Sequence, residues 1–199
     1  RNVTGVQTCA LPISREKHLR HTSLLGFNVQ PENDFLKSRK PVLVNADLHI
    51  SLAAPKKSMT DYFYKNSQAD EIIFIHKGSG TLKSGFGKIK FTYGDYVVVP
   101  RGTIYQIEFD NEDNRLFIIE SFSPIRFPKR YLNEFGQLME HSPYCERDIK
   151  RPADLETFDK EGDFSILIKK QGLIYPYTYG THPFDFIGDR KSTRLNSSH

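Results

Sequence analysis

Residues 71–105 constrain the fold of this chain more than any other stretch. β-Branched and aromatic residues come there in short runs, and turns that contain glycine separate the runs. Such runs, bounded by Gly, Asp and Pro, predict short strands joined by tight turns. Near the end of the stretch, Gly94-Asp95 leads into a run of valines that Pro100 and Gly102 bring to an end. The sequence therefore predicts a mainly β domain built from hairpins.

The order strand, Pro-x-Gly, then an inward side chain is typical of the second motif of a cupin barrel. We therefore predict a mainly β, cupin-like double-stranded β-helix (jelly roll), a fold made of two facing sheets. The side chain that this motif aims inward is Tyr105, where many cupins have a metal-binding histidine. Tyr105 is expected to pack into the barrel mouth.

The first cupin motif also lacks its histidines. A metal-binding cupin has a His-x-His pair shortly before its glutamate, but residues 65–70, before Glu71, read Lys-Asn-Ser-Gln-Ala-Asp. His76 is five residues from Glu71, so in a regular strand the two side chains point to opposite faces. We expect His76 to be the polar end of a strand, and we assign no catalytic, cofactor-binding or metal-binding residue in this chain.

The two ends of the chain have an unusual relationship. Residues 3–13 and 189–199 can be encoded by opposite strands of one DNA, which resembles a sequencing-library adapter. We therefore interpret residues 1–13 and 189–199 as adapter-derived and exclude them from fold reasoning. Residues 14–188 are expected to be the natural part, an N-terminal cupin-like portion of a longer, two-part protein.

Once the two ends are set aside, the charge and the cysteine content argue against nucleic-acid-binding, membrane-binding and disulfide-rich proteins. The whole chain has a formal net charge of +4, of which the two ends carry +3, so about +1 remains. That balance gives no basis for nucleic-acid or anionic-membrane binding. Cys145 is then the one remaining cysteine, which fits a reducing cytoplasm. The sequence contains no apolar run of about 18 residues, so it offers no candidate membrane span.

The segment 41–54 reads as a strand pair or a bent strand with two different faces. Asp47, His49 and Ser51 share one face. The opposite face is formed by Leu48, Ile50 and Leu52. Asp47 and His49 could be two metal ligands, but we favour polar residues on the solvent face of a sheet.

Three further groups invite a functional reading. His18 and His21, three residues apart among basic residues, could bind a metal but fit a solvated surface or a docking strand better. Cys145 and His141 could form a nucleophile and its base, although no third member is in place.

Glu120 is the third case, because it lies inside an otherwise apolar run, residues 116–122. It could be a catalytic acid. A buried carboxylate is usually paired, however, so we favour an interaction with Arg126 or a backbone amide.

Taken together in order, five segments resemble the homogentisate 1,2-dioxygenase family in its bacterial branch. They are residues 45–56, 68–82, 94–106, 121–131 and 181–188. The resemblance implies a two-part cupin enzyme that uses non-haem Fe(II) and O₂ to open the ring of homogentisate, giving maleylacetoacetate in tyrosine and phenylalanine breakdown. The implied iron ligands are two histidines and one glutamate, a set suited to O₂ activation.

In that family the iron ligands belong to the C-terminal part, which would lie beyond Gly188. The resemblance therefore implies that this chain is catalytically inactive and architectural, with Glu71, His76, Arg101 and Tyr105 in structural roles. It also implies a small aromatic acid and O₂ as substrates, a homo-oligomer and a cytoplasmic location.

Two alternatives stay open. One is a stand-alone, non-catalytic cupin that binds a small ligand in its barrel, with Tyr105 and Glu71 in the lining. The other is a metal enzyme that uses His49, His76 or His141.

Overall fold

The computed structural model describes residue 23 and residues 25–152 and 156–185. Within these ranges the longest α-helix is a single turn, and no helix could cross a lipid bilayer. The helical segments are the 3₁₀ turns Gly26–Asn28, Lys129–Tyr131 and Glu146–Asp148 and the α-helix α1, Phe35–Ser38. The strands are β1 Lys40–Val44, β2 Leu48–Ala53, β3 Phe63–Asn66, β4 Asp70–Lys77, β5 Gly80–Ser84, β6 Gly87–Phe91, β7 Tyr96–Val99, β8 Ile104–Phe109, β9 Arg115–Ser121, β10 Glu161–Lys170 and β11 Leu173–Thr181.

The strands form two sheets. One has five strands in the order β1-β2-β9-β4-β7, all antiparallel, and the other has six in the order β11-β10-β3-β8-β5-β6. In the six-stranded sheet only the β10–β3 pairing is parallel. Neighbours that are distant in sequence, such as β2 and β9, give the crossed connections of a jelly roll. The predicted mainly β, cupin-like fold is therefore confirmed.

The hydrophobic core lies between the two sheets. Ile73 and Ile75 from β4 and Leu116 and Ile118 from β9 meet residues of the six-stranded sheet, including Ile107. Side chains alternate between the two faces of a strand, so residues two positions apart, such as these, point to the same inner face. Each of these side chains is nearly or completely buried.

Glycine is required at two points in the turns that the sequence predicts. Gly78, in the β4–β5 turn, has φ +105°, and an added Cβ would lie 2.1 Å from the side-chain oxygen of Asn114. At Gly80, an added Cβ would lie 2.1 Å from the carbonyl oxygen of Glu108, on the neighbouring strand β8. Any larger residue at either position would force the surrounding atoms to move.

The motif that ends β7 behaves as predicted. The chain turns over residues 100–103, where the Thr103 N–H donates to the carbonyl oxygen of Pro100 and Gly102 has φ +84°. β8 then carries Tyr105 inward, as expected, but with none of its surface exposed Tyr105 lies in the barrel interior and not at the mouth.

One sequence prediction about the sheet faces is wrong. β1 and β2 form the expected antiparallel pair, and His49 and Ser51 share a face. That face, however, points into the barrel: Ser51 is buried and His49 lies close to the buried Glu120. Asp47 lies in the exposed turn before β2 and does not share this environment. The polar face is inside because charged side chains from other parts of the fold pack against it there.

Some residues that the sequence singles out lie outside the described ranges. They are the adapter-like peptides 3–13 and 189–199 and the histidines His18 and His21. The Pro-Glu-Asn-Asp run at residues 31–34 suggests a loop over residues 28–40, but the structure forms the one-turn helix α1 there, whose N-cap Asp34 accepts a hydrogen bond from the Lys37 N–H. This helix matters because it positions the residue that follows it, Arg39.

Candidate functional site

Strand register brings two glutamates together inside the barrel. Glu71 on β4 pairs directly with Glu120 on β9, and Glu120 pairs with His49 on β2. Residues directly opposite each other in an antiparallel pair have Cβ atoms about 4.5–5.5 Å apart. Glu71 is fully buried and Glu120 is 2 % exposed. Two carboxylates this close and this deeply buried need cations beside them.

Arg39 provides the first cation. Its Nη2 atom donates to Oε1 of Glu71 at 2.7 Å and to Oε1 of Glu120 at 2.9 Å. The guanidinium carbon lies 5.5 Å from the ring centre of Phe35 and 5.8 Å from that of Tyr64. With 8 % of its side chain exposed, Arg39 closes one end of the barrel interior.

Glu71 has two further partners from the opposite sheet. The Tyr105 hydroxyl donates to its Oε2 atom at 2.7 Å, and the Asn66 side-chain amide approaches its Oε1 atom at 3.3 Å. Asn66 is held by its own oxygen, which accepts from the backbone N–H groups of Gln68 and Ala69. Both oxygens of the buried Glu71 carboxylate are therefore hydrogen-bonded.

Glu120 is paired mainly with Lys169. The Lys169 ammonium lies 2.7 Å from each Glu120 oxygen, and the Asn66 amide donates to Oε1 at 3.0 Å. His49 Nδ1 lies 3.7 Å from Oε2. Our prediction that Glu120 pairs with Arg126 is wrong: Arg126 is exposed, and the cations come from residues 39 and 169 instead.

The pKa directions of Glu120, Arg39 and Tyr105 follow from burial and from the neighbouring charges. Burial alone would raise the pKa of Glu120, but Arg39 and Lys169 outweigh it and lower that pKa. Burial alone would lower the pKa of Arg39, but the charge of Glu71 and its neighbours raises it well above its usual value. Burial, with the charge of Glu71, raises the pKa of Tyr105. These directions favour an ionised Glu120, a charged Arg39 and a neutral Tyr105 hydroxyl.

These residues do not fit the non-haem iron that the family resemblance implies. An iron of that type takes three ligands, two histidines and a carboxylate, and needs open positions beside them. Here Arg39 lies between the two carboxylates, and His49 is the one histidine beside them in the described cluster. Among residues 23, 25–152 and 156–185, no three His, Cys, Asp or Glu side chains could hold a metal ion. We derive no chemical step through iron in this chain.

The other residues that the sequence singled out lie apart from this cluster. His76 is exposed on the outer face of the five-stranded sheet, 5.0 Å from the ring of Phe27, while Glu71 is buried on the inner face, as predicted. His49 and His76 therefore lie on opposite faces of one sheet. The Arg101 side chain is exposed, and its backbone N–H donates to Asp70.

The proposed Cys145–His141 pair does not form in the part of the chain that the structure describes. His141 is exposed, Cys145 is a free thiol of intermediate exposure, and no hydrogen bond joins them. The backbone N–H of Cys145 donates to Asp148, which begins a 3₁₀ turn. These residues lack the geometry of a nucleophile and its base.

Sequence reasoning missed Arg39, Asn66 and Lys169, which hold the cluster together. They are separated from one another by 27 and 103 positions, so no local motif connects them. The usable signal was the pair of glutamates within apolar strands, Glu71 and Glu120, because buried carboxylates require cations. That signal predicts that partners exist without saying where in the chain they are.

A cavity of about 310 Å³ opens beside the cluster at the barrel mouth. Its polar lining includes Arg39, His49, Tyr64, Glu120 and Lys169. Apolar side chains, including Leu36, Val44 and Ile174, complete its wall. Glu71 and Tyr105 do not line it, because both are completely buried.

Comparison with known proteins identifies relatives of this chain. The sequence profile of a family described as "Homogentisate 1,2-dioxygenase N-terminal" matches residues 33–190. The chain is also 38 % identical over 174 residues to "Putative dioxygenase SSO1533" of Saccharolobus solfataricus. That match covers 87 % of this chain and 44 % of the relative, so the chain spans less than half of the relative's length.

Solved structures with partial likeness include cupin proteins. A cupin-2 domain protein from Shewanella frigidimarina has a TM-score of 0.37 at 18 % identity, covering 42 % of this chain and 79 % of that one. KdgF from Halomonas sp. has a TM-score of 0.39 at 19 % identity, covering 43 % and 78 %. TM-scores this low support no argument about function.

Proposed function

We propose, since this chain belongs to the homogentisate 1,2-dioxygenase N-terminal family, that it is the N-terminal part of a ring-cleaving dioxygenase and serves it as a structural barrel. The membership is supported by a profile match over most of the chain and by the 38 % identity to a protein named as a dioxygenase. Both matches are to proteins named as dioxygenases, which are oxidoreductases.

For the whole protein we propose cleavage of homogentisate to maleylacetoacetate with Fe(II) and O₂, in the cytoplasm. The family name supports the substrate, and the free thiol of Cys145 fits a reducing compartment. When bound, ferrous iron would supply the activation of O₂. We assign the iron ligands to the part of the longer protein that this chain does not span, because an ion-pair cluster fills the interior of this barrel.

One observation carries the structural role: the Arg39 guanidinium lies between the carboxylates of Glu71 and Glu120. The side chains that could offer oxygen ligands in this barrel are therefore bonded to a cation that belongs to the chain itself. Tyr105 and Asn66 use the remaining positions around Glu71. Such a cluster stabilises the connection between the two sheets and leaves no open coordination site.

Oxygen uptake tests this proposal directly. The purified chain, given ferrous salt and homogentisate under air, should consume no more O₂ than the same mixture without protein. A full-length homogentisate 1,2-dioxygenase in the same buffer provides the positive control. Iron content after dialysis should be well below one atom per chain. Protein-dependent O₂ consumption together with stoichiometric iron would refute a purely structural role.

A second candidate, non-catalytic binding of a small ligand, is favoured by the cavity at the barrel mouth. The sequence suggested that the ligand would contact Glu71 and Tyr105, but both are completely buried and neither lines the cavity. The ligand would meet the Lys169 ammonium, His49 and the Tyr64 ring instead. These groups next to an apolar wall suit a small carboxylic acid.

Benzoate serves as a probe for this second function. Titration of the ¹⁵N-labelled chain should shift amide signals of β2 and β10 selectively, and Lys169→Met should abolish the shifts. Lys170→Met is the matched control, because the Lys170 side chain is exposed and lines no part of the cavity. Shifts spread evenly over the surface, or unchanged in Lys169→Met, would argue against a site at the mouth.

A further inference from the structure

The segment that follows β11 covers a second apolar cluster, on the outer face of the six-stranded sheet. Phe63 of β3 and Ile166 of β10 are neighbours in the strand register, and Phe184 packs with both of them. All three side chains are buried. Tyr64, the next residue of β3, belongs to the core between the sheets, so Phe63 faces the opposite side. We call residues 182–185, which carry Phe184 onto this face, the strap.

The side chain of His182 fixes the conformation of the strap. Its Nδ1 atom accepts a hydrogen bond from the Phe184 N–H at 3.2 Å, and its carbonyl oxygen accepts one from the Asp185 N–H at 2.8 Å. A side chain that accepts from the backbone two residues further on is the arrangement of an Asx turn, here made by an imidazole. The His182 N–H donates to the carbonyl oxygen of Lys160 at 2.9 Å, which ties the strap to the residue before β10.

Phenyl rings hold the imidazole of His182 in this position. The ring of Phe158 is stacked on it, with ring centres 4.4 Å apart and an angle of 9° between the planes. Phe63, Phe164 and Phe184 meet it edge to face, with ring centres 5.0 to 5.2 Å away. Four rings from three parts of the chain therefore keep the imidazole beside the Phe184 N–H.

The hydrogen bond from Phe184 requires a neutral imidazole. A ring nitrogen accepts through its lone pair, so Nδ1 carries no proton while Phe184 donates to it. In a protonated imidazole both nitrogens carry a hydrogen and both are donors. Two N–H groups would then face each other. Because histidine is the side chain that changes its charge between pH 5 and 8, a single proton in this range can remove the bond.

The surroundings of His182 favour the neutral form. Burial and the charge of Lys160 lower the pKa of His182 from its ordinary value of 6.5, and the carboxylate of Asp185 opposes them in part. β3 and β10 face the imidazole with phenyl rings. The other carboxylates of β10 and of the segment before it are exposed: Glu156, Asp159, Glu161 and Asp163. Since the folded pKa is lowered, the stabilisation is fully present above pH 6.5 and is lost as the pH falls through the folded pKa.

We propose that His182 is a pH-sensitive latch, whose protonation frees the strap and uncovers Phe63 and Ile166 on the outer face of the six-stranded sheet. The neutral imidazole holds the Phe184 N–H and thereby keeps the Phe184 side chain on the cluster. The charged imidazole can still stack on Phe158 but no longer accepts a bond, so the proton controls the strap and leaves the barrel interior unchanged. This inference is independent of the proposed dioxygenase function.

Nuclear magnetic resonance on the complete 199-residue chain tests the latch without any substitution. Between pH 8 and pH 5 the ring signals of His182 and the amide signal of Phe184 should titrate together, with one midpoint below 6.5. Hydrogen exchange of the Phe184 amide, corrected for its intrinsic pH dependence, should become about 3- to 10-fold faster below the midpoint, as expected for the loss of one hydrogen bond. This pH range lies above the lowered pKa of Glu120, so the ion-pair cluster keeps its charge.

Two variants separate the acceptor from the aromatic ring. His182→Asn keeps a side-chain acceptor for the Phe184 N–H but does not titrate, so the amide should stay protected at both pH values. His182→Phe keeps a ring without an acceptor, so the amide should exchange about 3- to 10-fold faster even at pH 8. His141→Asn is the matched control, because His141 is exposed and lies outside the apolar cluster, and it should leave the titration of Phe184 unchanged.

Three results would overturn the latch. The first is a Phe184 amide whose signal and exchange rate are the same at pH 8 and pH 5. The second is a His182→Asn variant that responds to pH as the unmodified protein does. The third is a response of Phe184 that occurs only together with the amides of the barrel interior, since that would be unfolding of the whole domain and not release of the strap.

Discussion

Replacing Arg39 by methionine should destabilise this protein more than any surface change. Methionine keeps much of the length and apolar volume of the side chain but removes the charge and the two bonds to Glu71 and Glu120. Glu71 then keeps only the Asn66 amide and the Tyr105 hydroxyl as partners. It becomes a fully buried carboxylate with no cation bonded to it.

The magnitude follows from the burial of the pair. Removing one partner of a buried ion pair costs about 3–5 kcal/mol, because the remaining charge is left uncompensated. Glu71 is 0 % and Arg39 8 % exposed, so solvent screening is small and the full range applies. With a urea dependence of about 2 kcal/mol/M, the midpoint of unfolding should fall by about 2 M.

Urea unfolding at two pH values makes the assay specific for the charge. In Arg39→Met the buried carboxylates lose a cation, which raises their pKa, so the variant gains stability as the pH is lowered through that raised pKa. The loss relative to the unmodified protein should therefore be smaller at pH 5 than at pH 8. Arg39→Lys, which keeps the charge without the planar guanidinium, should lose less stability than Arg39→Met.

Arg126→Met is the control, because the exposed Arg126 is the partner that the sequence wrongly suggested for Glu120. Its free energy of unfolding should change by about 0.5 kcal/mol or less. If Arg39→Met lost less than about 1 kcal/mol, or if its loss did not depend on pH, the ion-pair cluster would not be the interaction that holds the barrel interior.

Three further predictions concern the same barrel. Tyr105→Phe removes the hydroxyl that donates to Glu71 and should cost about 1–3 kcal/mol in urea unfolding, because a buried acceptor loses a partner. Lowering the pH should destabilise the unmodified protein: the folded pKa of Glu120 lies below its ordinary value of 4.5, so the stabilisation is present above pH 4.5 and is lost as the pH falls through the folded pKa, which acid titration by circular dichroism would show. Gly80→Ala should cost about 1–3 kcal/mol or more in thermal unfolding, because the new Cβ meets the backbone oxygen of Glu108.

Matched variants separate these effects from general damage. Tyr93→Phe removes an exposed hydroxyl and should change little, so equal losses for Tyr93→Phe and Tyr105→Phe would contradict the assigned bond. Gly172→Ala meets no atom within 4 Å but has φ +75°, so it should cost about 1 kcal/mol from backbone strain alone. Stability that rose on acidification below pH 4.5 would contradict an ionised Glu120.

The local pattern of the sequence determined most of the strand architecture. The run of β-branched residues between Gly94 and Pro100 predicted a strand, its end and the inward direction of Tyr105, which the structure confirms. The expectation that this strand is buried was wrong, because β7 lies at the edge of its sheet and its side chains are alternately exposed and buried. The separation of Glu71 from His76 onto opposite faces was also predictable. These features depend on side-chain alternation and turn chemistry, both of which act over a few residues.

Only the tertiary structure decided which face of the five-stranded sheet is inside. Alternation along β2 separates His49 and Ser51 from Leu48, Ile50 and Leu52, but an isolated strand does not show which set meets the core. The polar set is inside because Arg39 and Lys169, far away in sequence, bring compensating charges to Glu120. Burying that cluster turned the apolar set toward the outer face of the sheet. Pairing between distant charges and packing of one sheet on another are long-range effects, which the order of residues in one strand does not contain.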